Sequence, residues 1–161
     1  MKNIVRINVL LVALLMAALV NGYAQPTASV ANTVNEIVRK HENTKGVNCM
    51  TVAKGSGLEL VKKMFNKEFG KEFMKGVTSI TIIEYSEASK ETCTVLRKDL
   101  DVFLSLLQEF DLSEEKQFAD NDFIRCFASA SDDKSISDFV MAMEDNESKM
   151  ILYMAGKIVV E

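Results

Sequence analysis

One histidine, three cysteines, a Gly-Ser-Gly turn and several clusters of acids are the residues of this chain with chemistry to offer. His41 is the single imidazole, so a His-based nucleophile pair would have to use it. Glu42 adjoins it, but no Ser or Cys stands beside it in a recognisable motif. A helix C-terminus, where the dipole favours a cation, accounts for its place. Gly55-Ser56-Gly57 lies between a strand pattern and a helix pattern, where glycines let backbone N–H groups approach an anion. A dinucleotide fingerprint needs a third glycine, and that position is Leu60. Glu84, near the end of the next strand, stands where a ribose-binding acid would, but the Walker pattern is missing and a tight turn is the plainer reading. Asp120-Asn121-Asp122, Asp132-Asp133 and Glu144-Asp145-Asn146-Glu147 supply oxygens on turns, as weak calcium binding uses. None has the EF-hand spacing, so they read as solvated turns, and no catalytic residue, metal or cofactor is expected.

Cys49, Cys93 and Cys126 make an odd count, which leaves at least one thiol outside any intramolecular pair. Their spacing fits no zinc pattern. Buried small apolar residues are the main expectation; a Cys49–Cys126 bridge is the alternative if their strands are neighbours. The most chemically suggestive apolar group is Met141, Met143, Met150 and Tyr153, with Phe139 and Met154 close in sequence. Methionine is flexible and polarisable, so the group is expected either as sheet core or as an adaptable binding surface.

These residues need elements to hold them. Val30, Val34, Ile37 and Val38 recur at helical spacing, predicting a helix over 29–43 with Ser29 as N-cap and Gly46 as its left-handed end. A strand is predicted over 47–53. A second helix carries Leu58, Val61, Met64, Phe65, Phe69 and Phe73 and ends at Gly76. The run 77–85 is the clearest strand, and a third helix is predicted over 86–110. A polar turn over 111–120 follows, then strands over 123–130, 136–143 and 149–155, separated by turn-forming clusters. The expected class is α+β: a mixed sheet with helices packed on one face, ending in an antiparallel three-strand meander. The first two strands are expected to be parallel neighbours through a right-handed crossover.

The first residues carry an address. Lys2 and Arg6 precede the apolar run Val9–Val20, and Gly22-Tyr23-Ala24 places small residues before Gln25. This is the order of a cleaved secretory signal, with cleavage between Ala24 and Gln25. The apolar run falls short of the roughly 20 residues that span a bilayer. Removing 1–24 leaves 137 residues, a usual single-domain length, and takes the net charge from −4 to −6. An acidic chain has no general attraction for nucleic acid.

Gly46-Val47-Asn48-Cys49-Met50-Thr51-Val52, Val77-Thr78-Ser79-Ile80-Thr81-Ile82-Ile83, Asp138-Phe139-Val140-Met141 and Met150–Gly156, behind a signal ending near Ala-Gln, follow one another in an order that resembles a family of exported bacterial proteins catalogued as domain of unknown function 4252. The resemblance covers most of the mature chain and implies export and a small α+β domain. It supplies no catalytic residues. Together these readings lead to a periplasmic or extracellular, non-enzymatic protein that binds an envelope partner or an apolar ligand through Met141, Met143, Met150 and Tyr153. A periplasmic enzyme and a self-assembling structural component are the alternatives.

Overall fold

In the computed structural model, residues 27–69, 72–110, 124–132, 135–145 and 148–159 are described. The signal segment, with Ala24 and Gln25, and the polar turn over 111–120 lie outside them. Helix α1 (Thr27–His41) buries Val30, Val34 and Ile37 at the predicted spacing. It starts earlier than predicted, so Ser29 lies inside it. Gly46 takes a φ of 81°, the left-handed conformation expected there. Strand β1 (Asn48–Val52) follows, then helix α2 (Ser56–Phe69) and strand β2 (Gly76–Glu84). Gly76 therefore opens a strand and does not close the helix.

Helix α3 (Lys90–Leu104) is shorter than predicted at both ends. The Ser89 hydroxyl accepts the Thr92 N–H at 3.2 Å and caps its start. Past the Ser105 cap the chain turns into β3 (Gln108–Phe110), which the continuing apolar pattern of Leu106, Leu107 and Phe110 had disguised. Strands β4 (Ile124–Ala128), β5 (Ala130–Asp132), β6 (Ser135–Glu144) and β7 (Lys149–Val159) complete the sheet. Asp132 of the supposed turn is therefore in a strand. The β6–β7 turn is tied by Asp145, whose carboxylate accepts the Ser148 N–H at 2.6 Å.

The chain is α+β, and its closing meander β4–β6–β7 is antiparallel. The strand order is β1-β2-β7-β6-β4-β3, with β5 paired to β6. The sheet is antiparallel at every recorded pairing, which corrects the mixed sheet and the parallel first pair. β1 runs against β2, from Asn48 opposite Glu84 to Val52 opposite Ile80. The turn after α2 explains this. Met74 donates its N–H to the Asn66 side chain at 2.9 Å, and the Phe73 carbonyl receives the Val159 N–H at 3.1 Å. The chain is thereby pinned at the end of the sheet that it left.

The helices also divide. α1 and α3 share one face, where Val34, Ile37, Leu96, Leu100 and Phe103 pack on Ile83, Val140, Ile151 and Tyr153. α2 lies on the other, where Leu58 joins Ile80, Phe139, Met141 and Met154. One covered face was expected, and both are covered. The central strands are apolar at successive positions, and side chains alternate between faces, so each face needs a cover.

Candidate functional site

The structure separates the four residues expected to share a binding surface. Met141 and Met143 point to the α2 face and are buried, while Tyr153 is buried on the opposite face. Met150 alone of the four keeps partial exposure. Strand alternation is the reason: Met150, Leu152 and Met154 share one side of β7, and Tyr153 takes the other. The expected common surface of Met141, Met143, Met150 and Tyr153 is therefore corrected.

Two features replace it. The first is an apolar row across the α2 face. Pairing aligns Met50 with Ile82, Ile82 with Leu152, Leu152 with Met141, and Met141 with Cys126. Met141 and Cys126 are buried, Ile82 and Leu152 are half-buried, and Met50 is 52% exposed. The neighbouring row Val52, Ile80, Met154 and Phe139 lies in the cluster that Leu58 and Val61 of α2 complete. On the far side, half-buried Met150 pairs with Glu84. Met50, Ile82, Leu152 and Met150 thus form an open apolar strip. On α2 itself, Leu60 and Met64 stand one turn apart on the outer side, each 61% exposed.

The second feature is a polar node inside the sheet. Between β6 and β7 the register shifts, so Asp138 alone faces Ala155 and Gly156. The backbone here is left-handed on both strands: Gly156 has φ 98° and Asp138 has φ 50°. Asp138 is 2% exposed. Its carboxylate accepts from Tyr153 Oη at 2.9 Å, Ser129 Oγ at 2.9 Å and the Gly156 N–H at 3.4 Å. Burial, and then the Asp138 charge, push the Tyr153 phenol well above its usual range. Both carboxylate oxygens are occupied by the protein's own donors, so the node fixes a bend and offers no free group to a substrate. Its sequence signal was an acid in the middle of an apolar strand, Ile136-Ser137-Asp138-Phe139-Val140.

The other candidates resolve as follows. His41 is buried, with Nε2 2.7 Å from Asp99 Oδ2 on α3, and Lys40 reaches both Asp99 oxygens at 2.7 and 2.9 Å. Burial opposes ionisation of Asp99, but the hydrogen bonds from His41 and Lys40 hold its carboxyl below the usual range. This group clamps α1 to α3. Gly55 is a left-handed turn residue with φ 81°, Ser56 opens α2, and Glu84 is exposed at the end of β2. Asp120, Asn121 and Asp122 lie outside the described residues. Among the described residues no group of three His, Cys, Asp or Glu could hold a metal ion.

The three cysteines are free thiols. Cys49 on β1 and Cys126 on β4 are separated by β2, β7 and β6, and they face opposite sides of the sheet. Four strand spacings of about 4.8 Å exceed any disulfide span, so the Cys49–Cys126 bridge is excluded. Burial, then Glu42, raises the Cys49 thiol pKa. Burial, then Glu109, pushes Cys126 up to about 12. Both therefore stay protonated near neutrality, and it is the thiolate that attacks.

No helix of the described residues is long and apolar enough to cross a membrane. No family model matches this chain, and neither a curated protein nor a solved structure matches it.

Proposed function

We propose that this is an exported, non-enzymatic binding domain of the bacterial envelope. The α2 side of its sheet takes an apolar ligand, or an apolar segment of a partner protein, along Met50, Ile82, Leu152 and Met150. The single observation that carries this reading is the exposure gradient along one apolar row, from buried Cys126 and Met141 to exposed Met50. Two methionines on the strip suit it to ligands of varied shape, because their thioethers are flexible and polarisable. Export rests on the N-terminal pattern Lys2–Ala24 and on the resemblance to family 4252.

The test is binding of an apolar reporter dye, anilinonaphthalene sulfonate, to the folded chain. Met150→Lys puts a charge on the strip beside Glu84, which can pair with it. Leu152→Gln changes the strip's centre. Each is expected to weaken dye binding about ten-fold, corresponding to about 1.4 kcal/mol. Val95→Lys, an exposed position on α3, serves as control and leaves binding unchanged. Equal dye binding by all four chains would refute the assignment. The mass of the chain recovered from the envelope fraction tests export, since cleavage removes residues 1–24.

A further inference from the structure

We propose that β1 is a self-association edge, at which two copies of this chain join their sheets by antiparallel β1–β1 pairing about a two-fold axis at Met50. The inference rests on backbone groups, and it meets the apolar strip only at Met50. The Tyr85 N–H donates to the Lys149 carbonyl at 2.9 Å, in step with the β2–β7 register. Tyr85, Ile83 and Thr81 therefore direct their backbone groups to β7, and Glu84, Ile82 and Ile80 direct theirs to β1. On β1 this assigns Asn48, Met50 and Val52 to bonds with β2. The N–H and C=O groups of Cys49 and Thr51 then point away from the sheet. Among the described residues β1 pairs with β2 alone.

Natural edges are usually guarded by charge, proline, bulges or brevity. The opposite edge, β3, is three residues long and carries Glu109, held by Arg125 at 2.6 and 2.8 Å. β1 has none of these guards. Asn48-Cys49-Met50-Thr51-Val52 contains no charge, proline or glycine, and its pairing with β2 has no register shift.

The occupant follows from self-complementarity. With the axis at Met50, Cys49 of each copy faces Thr51 of the other. All four outward groups on each strand then pair, in two hydrogen-bonded pairs that flank Met50. An axis at Cys49 would instead call on the Val47 N–H, which already donates to the Thr44 carbonyl at 3.0 Å. No like charges meet in the Met50 register, and the exposed Met50 side chains contact each other across the axis. The apolar row would then run unbroken through both sheets.

The experiment exploits the alternation. Thr51→Pro removes an outward N–H, and with it the Thr51 hydroxyl 3.1 Å from that of buried Thr81, but leaves the β1–β2 backbone ladder intact, so the variant should fold. Sedimentation of the full chain across a dilution series is expected to show a dimer for the unmodified chain and at least an about ten-fold weaker one for Thr51→Pro. Circular dichroism checks that the variant is folded. Register is read separately in a Cys49→Ser background. Met50→Cys places two thiols in a non-hydrogen-bonded pair about 4.5 Å apart at Cα, which a disulfide can bridge. Oxidised glutathione, by thiol exchange, should link Met50→Cys into a covalent dimer and leave Thr51→Cys unlinked. A monomeric unmodified chain would overturn the proposal. So would an undiminished dimer of folded Thr51→Pro, or equal cross-linking at both positions. Met150 and Leu152 lie on β7, away from this edge, and their dye response can be read in folded Thr51→Pro, so failure of either proposal leaves the other standing.

Discussion

Replacing Asp138 with Ala should be among the most damaging single changes in this sheet. Tyr153 Oη and the Gly156 N–H would lose their shared acceptor, Asp138 Oδ1, inside a desolvated sheet. A buried donor left without a partner costs about 1–3 kcal/mol. Ser129 loses less, because its hydroxyl also lies 3.2 Å from the Ser137 carbonyl. The backbone adds a smaller term, since Asp138 has φ 50° and Asp tolerates left-handed backbone better than Ala does. Removing a buried carboxylate returns part of its desolvation penalty. The net expectation is a loss of about 3–5 kcal/mol, a large share of the roughly 5–15 kcal/mol that holds a domain folded. Asp138→Asn keeps the shape, tolerates the left-handed conformation and retains an acceptor for Tyr153, so it should lose only about 1 kcal/mol. Urea unfolding followed by circular dichroism at neutral pH measures both. If the Ala variant were within about 1 kcal/mol of the Asn variant, the node would not be what fixes the bulge.

Gly156→Ala should destabilise by more than the roughly 1 kcal/mol of an ordinary left-handed glycine, because a Cβ there would also run into the Gly76 carbonyl oxygen. A thermal melt showing a drop of only a degree or two would contradict this. Alkaline unfolding should carry the mark of Cys126. Its folded pKa of about 12 lies above the ordinary thiol value of 9.0, so its contribution is complete below about pH 9 and is lost as pH rises towards 12. Stability should then fall by about 1.4 kcal/mol per pH unit more steeply in the unmodified chain than in Cys126→Ala, and parallel pH curves would refute the assignment.

The elements were legible where periodicity was unambiguous. Val30, Val34 and Ile37 announced α1, Ile80–Ile83 announced β2, and the polar clusters around Asp133 and Asp145 divided the last strands. Three things were not legible. The helical stripe of α3 ran on through Leu106, Leu107 and Phe110, and a period alone cannot show that the chain leaves the helix at Ser105 to become β3. The direction of β2 relative to β1 was decided by the Asn66–Met74 and Phe73–Val159 bonds, which are tertiary and leave no local pattern. The methionines were legible as a group and strand by strand, but not in which faces of β6 and β7 coincide. Met141, Met143 and Met150 fell on one side and Tyr153 on the other: alternation along β7 separates Tyr153 from Met150, and the pairing of Met141 with Leu152 and of Met143 with Met150 matches the two strands.

The geometry also explains why the open strip lies where it does. Six strands at about 4.8 Å spacing make a sheet roughly 24 Å wide, while a helix with its side chains covers about 10 Å. α1 and α3 together come close to covering their face. Among the described residues α2 is the single helix on the other, and it is tethered to β1 through the short turn at Lys54-Gly55. Its inward residues Leu58 and Val61 join the cluster at the Val52–Ile80 row, and the turn bearing Phe73 and Met74 fills the same end of the sheet. At the Met50–Ile82–Leu152 row that cover is incomplete. The gap adjoins β1, the strand with outward backbone groups and no guarding charge, so a second copy paired at β1 would widen the apolar row without itself filling it. A ligand occupying the strip would then lie near the joint between two sheets. Its binding should tighten with dimerisation if it touches both copies and should be indifferent if it touches one, which a dye titration of folded Thr51→Pro against the unmodified chain would separate.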